Sequence, residues 1–162
     1  MKAIYKLIIL LSILFAFNNT NAQKKIYDHM ADADQVIEKA IQKAKAENKH
    51  VLIKLGGNWC KWCIKLHEFC HDSPRISYFI DTYFVETLVA ISNEKRNDHI
   101  LKKYKNPGRF GYPVLLILDG EGNLIHTQDI APFEKGNSGE FDEAKLTKFF
   151  KNWTPEALKF NQ

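Results

Sequence analysis

Cys60-Lys61-Trp62-Cys63 places two thiols three residues apart, where a short apolar run at Val51 to Leu55 gives way to helical spacing. A cysteine at a helix N-terminus meets the positive end of the macrodipole and unpaired backbone N–H groups, and both stabilise a thiolate. A second cysteine one turn later lies within disulfide reach, because Cα atoms about 5–6 Å apart suit that bond. One thiol can attack a disulfide and its neighbour can resolve the mixed disulfide, so the pattern points to exchange chemistry rather than cross-linking alone. The chain holds three cysteines, an odd number that does not make a structural disulfide framework.

The same stretch carries other ligand types. Cys60, Cys63, His67, Cys70 and His71 fall on one helical face and, as a set, suggest zinc. At about 1.5 Å rise per residue, His71 stands roughly 16 Å along the helix from Cys60, whereas zinc ligands lie about 2.0–2.3 Å from the ion. A Cys60, Cys63 and His67 site would need a fourth ligand from elsewhere. A c-type haem motif is excluded, since Ile64 rather than a histidine follows Cys63. No metal is expected. Cys70 reads as a buried packing residue and His67 and His71 as structural, so all three stay outside the catalytic set.

The elements that must position the pair can be read from periodicity. Asp32 to Asn48 has apolar or small residues at Val36, Ile37, Ala40, Ile41 and Ala44, a helical spacing opened by Asp32 and Gln35 in a capping-box pattern. Its lysines at 39, 43, 45 and 49 interleave with Glu38 and Glu47 and read as a solvated face. Val51 to Leu55 suits a strand covered on both faces. Helical pattern returns from Cys60 to His71, and Ser73-Pro74 starts a second piece that runs to Tyr83. Phe84 to Ile91 is the next strand, and Asn93 to Tyr104 a charged, exposed helix. Pro113 to Leu118, the turn at Asp119 to Asn123 and a strand at Leu124 to Gln128 make a hairpin. A polar loop spans Pro132 to Gly139, and a last helix begins near Asp142 and runs through Leu146, Phe149, Phe150 and Trp153. The order αβααβαββα predicts one mixed α/β layer domain with helices on both faces.

The first 22 residues form a separate unit. Lys2 and Lys6 precede an apolar run at Leu7 to Phe17, and Asn18 to Ala22 ends the segment on a small residue. This is the pattern of a secretory signal peptide cleaved after Ala22, and the run is shorter than the roughly 20 residues of a membrane span. The domain is therefore expected at residues 23–162, in an exported, periplasmic or secreted protein without stable membrane insertion. The formal charge of +4 falls to +2 without the two leader lysines, too small an excess for a nucleic-acid partner. An exported redox pair meets an oxidising compartment, so a partner must maintain its working state.

With these pieces in place, the chain resembles the thioredoxin superfamily, and within it the secreted branch with a tryptophan-flanked CxxC. The resemblance rests on the strand, WCxxC and helix at Val51 to Cys63, on Tyr112-Pro113 opening a later strand, and on the PVLLILDGEGNLI hairpin. It covers about residues 32–153. It implies a three-layer fold with a central mixed sheet between helices, and thiol:disulfide oxidoreductase activity without a cofactor, the electrons residing in the Cys60–Cys63 pair. Cys60 becomes the attacking thiolate and Cys63 the buried resolving thiol. Tyr112–Pro113 becomes a cis peptide whose backbone pairs with an extended substrate segment. Trp59 and Trp62 offer an apolar rim for peptide substrates. The implied partners are protein thiols or disulfides and a redox partner, met by a monomer.

One position departs from the family pattern. Members often carry a buried acid six residues before the first active-site cysteine, and here that residue is Lys54. A lysine in a central apolar strand must be paired, neutral or able to reach water. Pairing with Glu86 on the next strand would keep a proton-handling pair with the charges exchanged; snorkelling to the surface is the alternative. A cation there favours the thiolates and hence the reduced form. Two other functions fit the same motif: a binding or chaperone-like module without turnover, and a metal carrier.

Overall fold

The computed structural model describes residues 24–92, 97–136 and 138–159, so the leader segment 1–22 and the first residues of the expected helix at 93–104 lie outside the described residues. Helix α1 spans Ala33–Glu47; strand β1, His50–Gly56; helix α2, Lys61–Asp72; helix α3, Pro74–Tyr83; strand β2, Phe84–Ala90; and helix α4, Asp98–Lys103. Strands β3, Val114–Leu118, and β4, Leu124–Asp129, follow, then helices α5, Glu143–Asn152, and α6, Pro155–Leu158. Short 3₁₀ turns occupy Pro107–Phe110 and Ala131–Phe133.

The strands form one sheet in the order β2-β1-β3-β4, with β1 parallel to β2 and antiparallel to β3, and β3 antiparallel to β4. This is the expected mixed α/β sheet with helices on both faces. Strand periodicity splits the core in two. Val51, Ile53 and Leu55 of β1 join Val114, Leu116 and Leu118 of β3 beneath α1, whose Ala33, Ile37, Ala40 and Ala44 face inward. Leu52, Leu115 and Ile117 point the other way, onto Leu66 and Cys70 of α2, Ile76 and Ile80 of α3, and Leu146, Phe149 and Phe150 of α5. Strands β1 and β3 are buried along their whole length, which explains why their sequences are runs of apolar residues rather than alternations.

Local signals place the boundaries. Asp32 caps α1 by accepting from the Gln35 N–H at 3.1 Å, and the helix stops at Asn48 in the left-handed region. Ser73 ends α2 and caps α3, accepting from the Ile76 N–H at 3.2 Å with Pro74 at the first helical position. In the β3–β4 turn, Asp119 Oδ1 accepts from the Glu121 and Asn123 N–H groups at 3.0 and 2.8 Å, and Gly122 takes the positive φ of +84° that the turn needs.

Three elements differ from the sequence reading, the first being the short helix α6 beyond the expected last helix. The segment at Pro132 to Gly139 is less a free polar loop than a strap: Phe133 and Phe141 at its ends are buried, and Glu134 bridges to Phe141. Those two aromatic anchors outweigh the polar composition between them. The 3₁₀ turn at Pro107–Phe110 had no separate signal beyond the Pro-Gly pair that breaks the preceding helix.

Candidate functional site: a disulfide at the first turn of α2

Cys60 and Cys63 form a disulfide with Cα atoms 5.2 Å apart. Cys60 is the N-cap of α2, with extended φ and ψ of −94° and 101°, and its Sγ accepts from the Cys63 N–H at 3.1 Å. The first turn of α2 contains no acidic residue to compete for the positive end of the dipole. A thiolate released at Cys60 therefore forms at the helix terminus, where backbone N–H groups and the dipole favour it. Cys63 is 1% exposed and Cys60 6%, so the first cysteine is the less covered of the two.

The Tyr112–Pro113 peptide is cis, and the Tyr112 carbonyl oxygen stands 3.7 Å from Cys60 Sγ. The start of β3 thus brings its backbone against the disulfide, as the sequence reading expected. Trp59 is 57% exposed, packs edge-on against Tyr112 at 5.8 Å between ring centroids, and donates its indole N–H to the Ile91 carbonyl at 2.7 Å. Phe110 adds a second exposed ring just before Tyr112. Trp62 is different: it is half-buried, edge-on to Phe141 of the strap at 5.5 Å, with the Lys65 ammonium 5.4 Å from its ring. Of the two tryptophans, Trp59 offers the open face and Trp62 only its remaining edge.

Behind the disulfide the packing is close. A Cβ at Gly56 would meet Cys63 Sγ and would sit 2.9 Å from the Tyr27 hydroxyl, so only glycine fits at the end of β1. Sequence reasoning missed Tyr27. It is 3% exposed, and its hydroxyl has no hydrogen-bond partner among the described residues. Its segment is held by Asn58, whose Oδ1 accepts from the Ile26 and Tyr27 N–H groups at 2.9 Å each and whose Nδ2 donates to the Tyr27 carbonyl at 2.8 Å. No periodicity or motif around Ile26-Tyr27-Asp28 signals this docking. Burial, and after it the nearby Glu86 carboxylate, push the Tyr27 phenol above its ordinary range.

Lys54 does not snorkel. It is 1% exposed, on the face of β1 that α2 covers, and its Nζ lies 3.0 Å from Glu86 Oε2 on β2. The contact is an ion pair rather than an aligned hydrogen bond. The register sets Leu52 beside Glu86, so the lysine reaches its partner diagonally across the parallel pair. The other carboxylate oxygen, Oε1, faces His67 Nδ1 and His71 Nε2 of α2, each at 3.2 Å. Burial alone would raise the Glu86 pKa, but contacts with His67, His71 and Lys54 outweigh it and hold the carboxyl well below its usual range. Because Glu86 offsets the ammonium charge, Lys54 pulls less on the thiols than an unpaired lysine would. The sequence placed His67 and His71 on one face but gave no sign that Glu86 would meet both.

Cys70 is fully buried in the core beneath α2, and burial pushes its thiol up to about 11. It is a packing residue beside the redox pair rather than a third exchange partner.

This fold and this pairing define a class. The sequence model of the thioredoxin-like family matches residues 32–120, more than half of the chain, and the chain belongs to that family. Over 99 residues it is 24% identical to the disulfide bond reductase DsbH of Chlamydia pneumoniae, covering 57% of this chain and 60% of that protein. The chain therefore spans less than two thirds of that relative's length. In structure it is similar to the disulphide isomerase from Xylella fastidiosa Temecula1, with a TM-score of 0.69 and 24% identity over 81% of this chain and 98% of that one. It is also similar to a thioredoxin from Thermus thermophilus, with a TM-score of 0.51 and 17% identity over 71% and 81% of the two chains. At these identities the structural likeness establishes the fold.

Two outcomes follow from the packing behind the disulfide. Tyr27→Phe removes an unpartnered buried hydroxyl while keeping the ring, and it stabilises the oxidised protein by about 1 kcal/mol, read as a shifted midpoint in urea unfolding. Iodoacetamide at neutral pH leaves the folded, oxidised protein unlabelled, because Cys70 is buried and protonated; mass spectrometry shows one carbamidomethyl group only after unfolding. Labelling of the native protein would show that the α2 face opens.

Proposed function

We propose that this chain is an extracytoplasmic thiol:disulfide oxidoreductase that exchanges disulfides with protein clients through Cys60 and Cys63. The observation that carries the reading is the Cys60–Cys63 disulfide at the N-cap of α2, with the Tyr112 carbonyl against Cys60 Sγ. Similarity to the disulfide bond reductase DsbH supports it, as does the leader-like pattern of residues 1–22.

In the reducing direction the Cys60 thiolate attacks a client disulfide, forming a mixed disulfide and releasing one client thiolate. Cys63 loses its proton and attacks Cys60 Sγ, releasing the second client thiolate and closing the Cys60–Cys63 bond. Two electrons pass to the client, and two protons convert its thiolates to thiols. A redox partner then returns two electrons to the pair. The Tyr112 backbone and the exposed Trp59 ring are placed to hold an extended client segment beside Cys60. Lys54 and Glu86 handle the proton of Cys63 as a neutral pair in place of a lone acid. The working form is a monomeric domain of residues 23–162 that needs no cofactor.

Cys60→Ser abolishes reduction of a model protein disulfide. Cys63→Ser retains the first attack and accumulates mixed disulfides, seen as reductant-sensitive adducts on non-reducing gels. A Cys60→Ser variant that still turns over, or a Cys63→Ser variant that traps nothing in its native compartment, overturns the reading.

A further inference from the structure

His67 and His71 lie one turn apart on α2 and direct Nδ1 and Nε2 at the same oxygen, Glu86 Oε1, at 3.2 Å each. All three donor atoms fall within 4.8 Å of one another. Ligands about 2.0–2.2 Å from a tetrahedral ion stand about 3.3–3.6 Å apart. The two histidine-to-carboxylate spacings are therefore already close to the edge of a coordination polyhedron, and the two ring nitrogens, within 4.8 Å of each other, close on a common ion by rotation of the side chains. His67, His71 and Glu86 also line a surface cavity of about 370 Å³, which leaves room for water or another ligand in an open position.

We propose that His67, His71 and Glu86 form a site for an imidazole-preferring divalent transition ion, such as zinc or copper(II), separate from the Cys60–Cys63 pair. The objection raised by the sequence concerned a set that included Cys60, too far along α2 to share an ion with His71. This set leaves out the cysteines and takes its third ligand from β2. Lys54 has a defined place in it. Ligating carboxylates are themselves held by a neighbouring hydrogen-bonding or charged group, and the buried ammonium holds Oε2 while Oε1 faces the histidines.

The charge balance selects the ion. Lys54 already offsets Glu86, and Lys43, Lys49 and Asp81 line the same cavity, the two lysines outnumbering the one further carboxylate, with Lys49 paired to Glu47 at 2.8 Å. Hard cations such as magnesium or calcium, which depend on several oxygen ligands, gain little here. Ions that bind imidazole nitrogen strongly retain their advantage, in the order copper(II) above zinc. Binding requires each coordinating ring nitrogen to present a lone pair, so a neutral ring carries its proton on the other nitrogen.

The test uses the untagged, oxidised protein, whose disulfide keeps Cys60 and Cys63 out of coordination and whose Cys70 is buried. Zinc chloride titrated calorimetrically near pH 7.5 binds with one-to-one stoichiometry, and magnesium does not bind. His71→Ala and His67→Ala each weaken zinc binding at least tenfold. His71 is 41% exposed and shares Glu86 with His67, so the His71→Ala protein still folds and melts only slightly below the parent in the absence of metal, and only the parent gains stability on adding zinc. Copper(II) bound to the parent shows hyperfine coupling to two imidazole nitrogens. No zinc binding at millimolar concentration, or binding that neither substitution weakens, overturns the proposal. Neither result bears on disulfide exchange, which is read from the thiols.

Discussion

A lysine ammonium buried in the middle of a sheet is the constraint around which this molecule is arranged. Bringing Lys54 out of water costs on the order of several kcal/mol, and the Glu86 carboxylate 3.0 Å away offsets that cost. The carboxylate in turn is buried enough to need partners for its second oxygen, and the second and last turns of α2 supply His67 and His71. One charge on β1 thereby fixes a charge on β2 and two rings on the helix above. The helix that carries the redox cysteines is held to the sheet by a polar patch as well as by the apolar contacts of Leu66 and Cys70. Apolar packing alone fixes a helix to a sheet less specifically, since oily surfaces of similar shape can slide.

That anchoring bears on the chemistry at the other end of α2. The disulfide occupies the helix N-cap, and its reactivity depends on where the first turn points its N–H groups. The cis Tyr112–Pro113 peptide approaches from β3, which pairs with β1. The strand bearing Lys54 thus joins both halves of the site: α2 follows it in the chain and β3 lies beside it in the sheet. A local rule, that buried charges must be paired, and a long-range one, that a sheet fixes its strands in register, together set the distance between Cys60 and the Tyr112 carbonyl.

Much of this was legible in the chain. The apolar run at Val51 to Leu55, the Ser73-Pro74 start of α3, the Asp-Gly-rich turn at Asp119 to Asn123 and the CxxC at a strand–helix junction are all local signals, and each marked its element. Lys54 stood out because a charge broke an apolar strand, and Glu86 was readable as its partner from the adjacent strand. What the sequence did not reveal depends on contacts between distant segments. Tyr27 docks through Asn58, more than thirty residues away, and nothing in its own neighbourhood is periodic. The meeting of His67 and His71 with Glu86 needs the register of β2 against β1 and the rotation of α2 above them. The strap after β4 read as polar because its two anchors, Phe133 and Phe141, lie at its edges rather than within it.

Gly56 leaves the disulfide with only one mobile end. Cys63 is lodged between the main chain at the end of β1 and the Tyr27 ring, in space that would not admit even a methyl group at residue 56. Two sulfurs that part on reduction must still move to van der Waals separation. The backing atom is rigid backbone on one side, so Cys60, the less covered sulfur, has the freer path. The smallest residue in the strand thus acts as an anvil: it blocks the inner sulfur and leaves the outer one the freer of the two.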